Sequence, residues 1–193
     1  MWRTSGAGWT IVADPPMAHT AYSAYIVLCN ALLRLPGHRF RIALLRRVVR
    51  AEIGDGCAIE RGVQITTKAG LTIGAHTNIN RGCLLDGRGG LRIGRRVNIS
   101  PDVRLITAEH DPDSPHFEGR AGSIEIGDSA WLALGAVILP GACIEEGALV
   151  AAAAVVRGRV PARAIVAGNP AVPVGTRAHD AQRELPSYRR FLH

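Results

Sequence analysis

The side chain in this sequence best placed to move a proton near neutral pH is His110. It closes the run Leu105-Ile106-Thr107-Ala108-Glu109-His110-Asp111. A neutral imidazole takes a proton from a hydroxyl without needing an extreme pKa. Residue type alone also fits an exposed corner histidine. No elbow-type nucleophile motif accompanies it. The four cysteines show neither metal-ligand nor disulfide spacing. Cys57 and Cys83 read as small buried apolar residues. Asn78 and Asp86 suit either hydroxyl binding or corner turns, where Asn and Asp are common.

The element that must position these groups is a repeat. Ile126, Leu132, Ile138, Ile144 and Val150 recur every sixth residue, and Ala130, Ala136, Ala142, Ala148 and Ala154 follow each by four. Period six is the mark of a parallel β-helix, in which three hexads wind one triangular coil. Upstream, runs beginning at Ile53, Ile73 and Ile93 are 20 residues apart, three hexads plus two. From Ile93 to Ile126 is 33 residues, one such coil plus an insertion of 13 placed near 111–122. The insertion is polar and carries two prolines, and a long loop in so regular a repeat points to function. The expected layout is an N-terminal segment over 1–52, a β-helix domain over 53–172 and a tail over 173–193.

With 47% hydrophobic and only 5% aromatic residues, the chain suits one domain with an aliphatic core. The formal charge of +7 draws phosphates or acidic polymers, but no nucleic-acid-binding motif is present. Residues 1–16 read as irregular. Residues 19–35 read as a helix ended by Pro36-Gly37, too short an uncharged run to span a bilayer. Residues 39–50 read as a second, basic amphipathic helix. It fits a cap on the open end of the coils, or a membrane-surface helix. Free thiols and the lack of a signal-peptide pattern fit the cytoplasm. The polar stretch 178–193 reads as a short helix or as disordered.

Four stretches together resemble the hexapeptide-repeat acyltransferases, the group that holds the maltose, galactoside, nodulation-factor and exopolysaccharide O-acetyltransferases. They are Asn78-Ile79-Asn80 through Asp86-Gly87, Ile99-Ser100-Pro101 through His110-Asp111, Ile126 through Trp131-Leu132, and Ile165-Val166-Ala167-Gly168-Asn169-Pro170. The resemblance covers about residues 53–177. It implies a left-handed parallel β-helix, against the usual right-handed crossover, and a homotrimer with active sites between subunits. It implies acetyl-CoA as co-substrate, no metal, and a saccharide or glycolipid acceptor. His110 would be the general base for direct attack on the thioester, oriented by Glu109, Asp111 or a backbone carbonyl. Asn78 and Asp86 would bind the acceptor, with Asn80 as the alternative to Asn78. Trp131 would lie beside the pantetheine arm. Ala133, Ala152 and Gly168 would let CoA approach the backbone, and Arg157, Arg159, Arg163 or Arg177, with Arg177 preferred, would meet its phosphates. The N-terminal helices look more like those of the exopolysaccharide-modifying members.

Three other readings compete. One is N-acetylation of an amino sugar or xenobiotic. Another is a non-catalytic β-helix scaffold. The third is a zinc hydratase like the γ-class carbonic anhydrases, through His76, His110 and His116. His76 and His110 occupy different hexad positions, so those ligands would meet only across a subunit boundary.

Overall fold

The computed structural model describes residues 9–11 and 19–178. Strands of mostly two or three residues stack in three parallel ladders, one for each face of a triangular prism. Pairing in register places Ile53, Ile73, Ile93, Ile126, Ile144 and Val160 in one column on the first face. Ile59, Ile79, Ile99, Leu132, Val150 and Val166 form the second. Ile65, Leu85, Leu105, Ile138 and Val156 form the third. All of these side chains are buried, and burying one such aliphatic group contributes about 1.5–3 kcal/mol. The architecture is the expected left-handed parallel β-helix.

The corners explain the rest of the hexad. The small residue at the fourth place after each aliphatic one is buried at the turn: Ala130, Ala136, Ala142, Ala148 and Ala154. The residue before it takes a left-handed φ, as at Gly56, His76, Arg96, Ser129 and Gly147. Glycine adopts that conformation without strain. Gly82 needs it doubly, since its φ is +74° and a Cβ there would run into the Asp102 carboxylate.

Helix α1 (His19–Leu32) and helix α2 (His38–Arg47) close the lower end of the prism. An open β-edge leaves unpaired carbonyls, and the helices supply donors for them. Arg41 Nε donates to the Ile59 carbonyl at 2.9 Å, and Arg46 Nη2 to that of Ile53 at 2.5 Å. Asn30 imitates a neighbouring strand. Its Nδ2 donates to the Ile65 carbonyl and its Oδ1 accepts the Ile65 N–H. Tyr22 donates to the Thr66 carbonyl, and the Gly62 N–H to that of Leu33. Arg41 is fully buried. Part of the basic character of α2 is therefore capping chemistry. At the upper end, Val172–Thr176 turns back antiparallel on Ala164–Ala167. The repeat thus ends in a hairpin that includes the first residues assigned to the tail, and 179–193 lie outside the described residues.

Candidate active site at the hairpin and the second face

The insertion is a β-hairpin, not a bare loop. Ala108–His110 pairs antiparallel with Gly119–Ala121. Thr10–Ile11, from the segment read as irregular, adds a strand on the outer edge. The base of the hairpin is clamped by charge. Glu109 accepts from Arg120 at 2.7 Å and from Arg157 at 2.7 Å, and Arg120 also reaches Asp111 at 3.1 Å. The Arg120 guanidinium lies over the Trp9 ring, 4.3 Å from its centroid. Burial pushes the Glu109 pKa up, but hydrogen bonds from Arg157 and Arg120 outweigh that and hold it below its ordinary value.

Glu109 and Asp111 are therefore taken, and neither orients His110. A backbone carbonyl does. His110 Nδ1 lies 2.8 Å from the Phe117 carbonyl oxygen, and the two rings stack with centroids 4.3 Å apart, 10° from parallel. A carbonyl can only accept, so in the neutral ring Nδ1 carries the proton and Nε2 keeps its lone pair. The imidazole is exposed at the tip of its strand. Phe117 was not legible as a partner, because the hairpin register that sets it opposite His110 depends on where the loop turns.

Asp86 departs from its expected role. It is 1% exposed, and both oxygens are used inside the fold. Oδ1 accepts from Thr66 Oγ1, the Arg88 N–H and Arg88 Nε; Oδ2 accepts from Arg88 Nη2 and the Thr107 N–H. Burial pushes its pKa up, but Arg88 and Thr66 outweigh burial and hold it below the usual carboxylate value. With no lone pair presented outward, Asp86 is a corner anchor. Thr107, three residues before His110, is tied to it directly. The group shown to solvent at this corner is Arg88.

Asn78 points outward on the second face and makes no side-chain hydrogen bond among the described residues. Asn80 is committed to the Ile99 carbonyl at 2.6 Å. Asn78, Asn98 and Trp131 occupy one outward column in successive coils, so Asn78 and Trp131 stand about 10 Å apart along the axis. Trp131 is 41% exposed, and its Nε1 donates to Ser100 Oγ at 3.1 Å. Asn98 and Ser100 stand beside these two residues and were not singled out from the sequence. The signal for Asn98 was present, since it precedes Ile99 as Asn78 precedes Ile79, 20 residues earlier. Ala133, Ala152 and Gly168 follow the second face at its corner with the third, in successive coils. Nothing larger than a methyl group projects from those positions. Arg177 lies apart from that line. Its Nη1 donates to the carbonyls of Ser129 and Gly147, at the opposite edge of the second face.

The topology separates these groups within one chain. His110 springs from the corner between the third and first faces, which is the prism edge opposite the second face. Asn78 and Trp131 therefore lie on the far side of the same subunit. Histidines do not gather either. His76 sits at the corner between the first and second faces, and no three His, Cys, Asp or Glu side chains form a metal-ligand group among the described residues. Cys83 is buried and its pKa is pushed up to about 12 by that burial, so this thiol is not reactive.

No family model matches the chain. It is 36% identical over 140 residues to the protein named colanic acid biosynthesis acetyltransferase WcaF of Escherichia coli, covering 72% of this chain and 76% of that one. The chain belongs to the hexapeptide-repeat acetyltransferases. A hexapeptide-repeat-containing acetyltransferase of Vibrio cholerae, solved with acetyl-CoA, superposes with a TM-score of 0.74 at 25% identity, covering 81% of this chain and 87% of that one. A galactoside acetyltransferase solved with CoA shares the fold, with a TM-score of 0.72 at 20% identity and 84% of each chain covered. No helix among the described residues is long and apolar enough to cross a membrane.

Proposed function

We propose that the protein is an acetyl-CoA-dependent O-acetyltransferase. Its acceptor is a hydroxyl of a saccharide or glycolipid precursor, and it works as a homotrimer with its sites between subunits. The observation that carries this reading is the hydrogen bond from His110 Nδ1 to the Phe117 carbonyl. It leaves Nε2 as a proton acceptor held at a fixed angle, the state a general base requires. His110 Nε2 takes the proton of the acceptor hydroxyl as its oxygen bonds to the acetyl carbon. The carbon–sulfur bond breaks, and the proton held on Nε2 returns to the departing thiolate. Acetyl-CoA, when bound, supplies an acyl group already activated as a thioester.

The separation of His110 from the second face supports the trimer. His110 of one chain has to face Asn78 and Trp131 of its neighbour, and the chain alone offers half a site. In this arrangement Asn78 holds the acceptor. Trp131, fixed by Ser100, lines the pantetheine path, and Ala133, Ala152 and Gly168 leave room for it to lie against the backbone. Arg177 meets a phosphate with the part of its guanidinium that the Ser129 and Gly147 carbonyls leave free. Much of the rate gain is then positioning.

The deciding experiment is thiol release from acetyl-CoA against sugars, lipid-linked sugars and aminoglycosides. An ester product labile to hydroxylamine is expected. An amide product would move the activity to the N-acetyltransferase reading, and no thiol release with any acceptor would sink both.

The proposed location is the cytoplasm, at the inner face of the membrane. Val27, Leu28, Leu35, Phe40 and Val48 are exposed on and beside the helices, among the exposed Arg34, Arg39 and Arg47. Apolar groups flanked by cations suit an anionic interface. The protein is expected to float with phosphatidylglycerol vesicles and to remain at the bottom of the gradient with phosphatidylcholine alone. Equal behaviour in the two gradients would contradict this.

A further inference from the structure

A cleft of about 430 Å³ opens at the corner between the second and third faces, across the three lowest coils. Its walls include Arg34, Arg61 and Arg81, with Gln64 and Asp102. We propose that this cleft binds the phosphate or diphosphate of a phosphorylated acceptor, so that the acetylated sugar is presented on a nucleotide or lipid carrier. The inference deepens the acetyltransferase reading and rests on it for the identity of the sugar.

Three observations carry it. First, the arginines are held together by the fold. Arg61 and Arg81 occupy equivalent corner positions in successive coils, which lie about 4.8 Å apart. The Gly62 N–H donates to the Leu33 carbonyl at 3.2 Å, which fixes the end of α1 and Arg34 beside them. Second, the three guanidinium groups form neither ion pairs nor side-chain hydrogen bonds among the described residues. By contrast, Arg46 serves an edge carbonyl, and Arg88, Arg120, Arg157 and Arg159 pair with carboxylates. Three like charges facing one space repel one another, and an anion between them relieves that cost. Guanidinium groups bind phosphate oxygens through paired, charge-assisted hydrogen bonds. Third, the cleft adjoins the acceptor side of the molecule. Arg81 follows Asn78 by three residues, within about 10 Å along the chain. Asp102, the one acid in the walls, stands in the third coil with its carboxylate over Gly82 of the second. It is suited to a sugar hydroxyl above the phosphate.

The test separates binding from turnover. With CoA at saturation, so that its own phosphate site is filled, pyrophosphate binding to the full-length protein is measured by calorimetry. The combined variant Arg34→Ala, Arg61→Ala, Arg81→Ala is expected to bind pyrophosphate at least about tenfold more weakly. Its melting temperature should be unchanged, since all three side chains are exposed. Unchanged pyrophosphate binding would overturn the proposal. In the thiol-release assay the same variant is compared on methyl glucoside, UDP-glucose and a polyprenyl-diphosphate-linked hexose. A rise in KM of about tenfold or more for one phosphorylated acceptor, with methyl glucoside unaffected, is expected and identifies the carrier. An equal loss on neutral and phosphorylated acceptors would mean a structural role and overturn it. If no acceptor releases thiol while pyrophosphate binding still depends on the arginines, the anion site stands and the acetyltransferase reading falls.

Discussion

His110→Ala is expected to lower kcat by about 10²–10⁴-fold, the range attributed to one positioned general base. CoA should bind as before, because Trp131, Ala133, Ala152, Gly168 and Arg177, the groups assigned to its path, are unchanged. The substitution also removes a ring that stacks on Phe117, so the hairpin tip loses one contact but keeps the Glu109–Arg120–Arg157 clamp at its base. His110→Asn, whose amide nitrogen stands where Nδ1 does, checks the hydrogen bond to Phe117. An amide can donate to the Phe117 carbonyl but is far too weak a base, so this variant should be as slow as the alanine one. A variant that kept full turnover would remove His110 from the chemistry.

Asp86→Ala is expected to cost about 1–3 kcal/mol of stability, the usual result of leaving a buried hydrogen-bonding group without its partner. The change leaves Thr66 Oγ1 and the Thr107 N–H without an acceptor at one corner and releases Arg88 to solvent. It should also slow turnover, because Thr107 leads into the strand that ends at His110. An acceptor-binding carboxylate would behave differently, raising acceptor KM at unchanged melting temperature. Acid titration reads the same group in the wild-type protein. The folded pKa of Asp86 is depressed, so its contribution is complete above the ordinary value of 3.8 and is lost as pH falls through the lower folded value. Glu109 behaves in the same sense, from its ordinary value of 4.5. Stability should hold across neutral pH and fall only in acid, and the acid limb should be shallower in Asp86→Ala. A melting temperature that declined from pH 7 downward would contradict the ion-pair account.

The fold was legible because one steric rule repeats. Every sixth side chain must fill the prism, and the fourth place beyond it must fit a corner, so Ile126 through Ala154 announce the coil without reference to anything distant. The place of His110 was legible for a related reason, since the insertion breaks the period just beyond it. What orients His110 was not, because the Phe117 carbonyl is set by hairpin register and leaves no mark in residue type. Asp86 shows the opposite failure. The resemblance read it as a ligand, while Arg88, two residues on, turns the carboxylate inward and uses both its oxygens. The arginines of α2 carried two meanings that sequence could not separate. Arg41 is a cap and Arg39 lies in solvent, and only the docking of the helix under the first coil distinguishes them.

The central claim is that one site draws on two chains. It is tested most directly by mixing two inactive variants, His110→Ala and Asn78→Trp, the latter placing a bulky ring on the acceptor face. Alone, each should keep about a hundredth of wild-type thiol release or less. Reassembled together at equal ratio, they form some sites with an intact His110 from one chain and an intact Asn78 from its neighbour. Activity of about a quarter of wild type is predicted for random assembly of such paired sites. A mixture no more active than its parents would show that each chain works by itself, and would contradict the account.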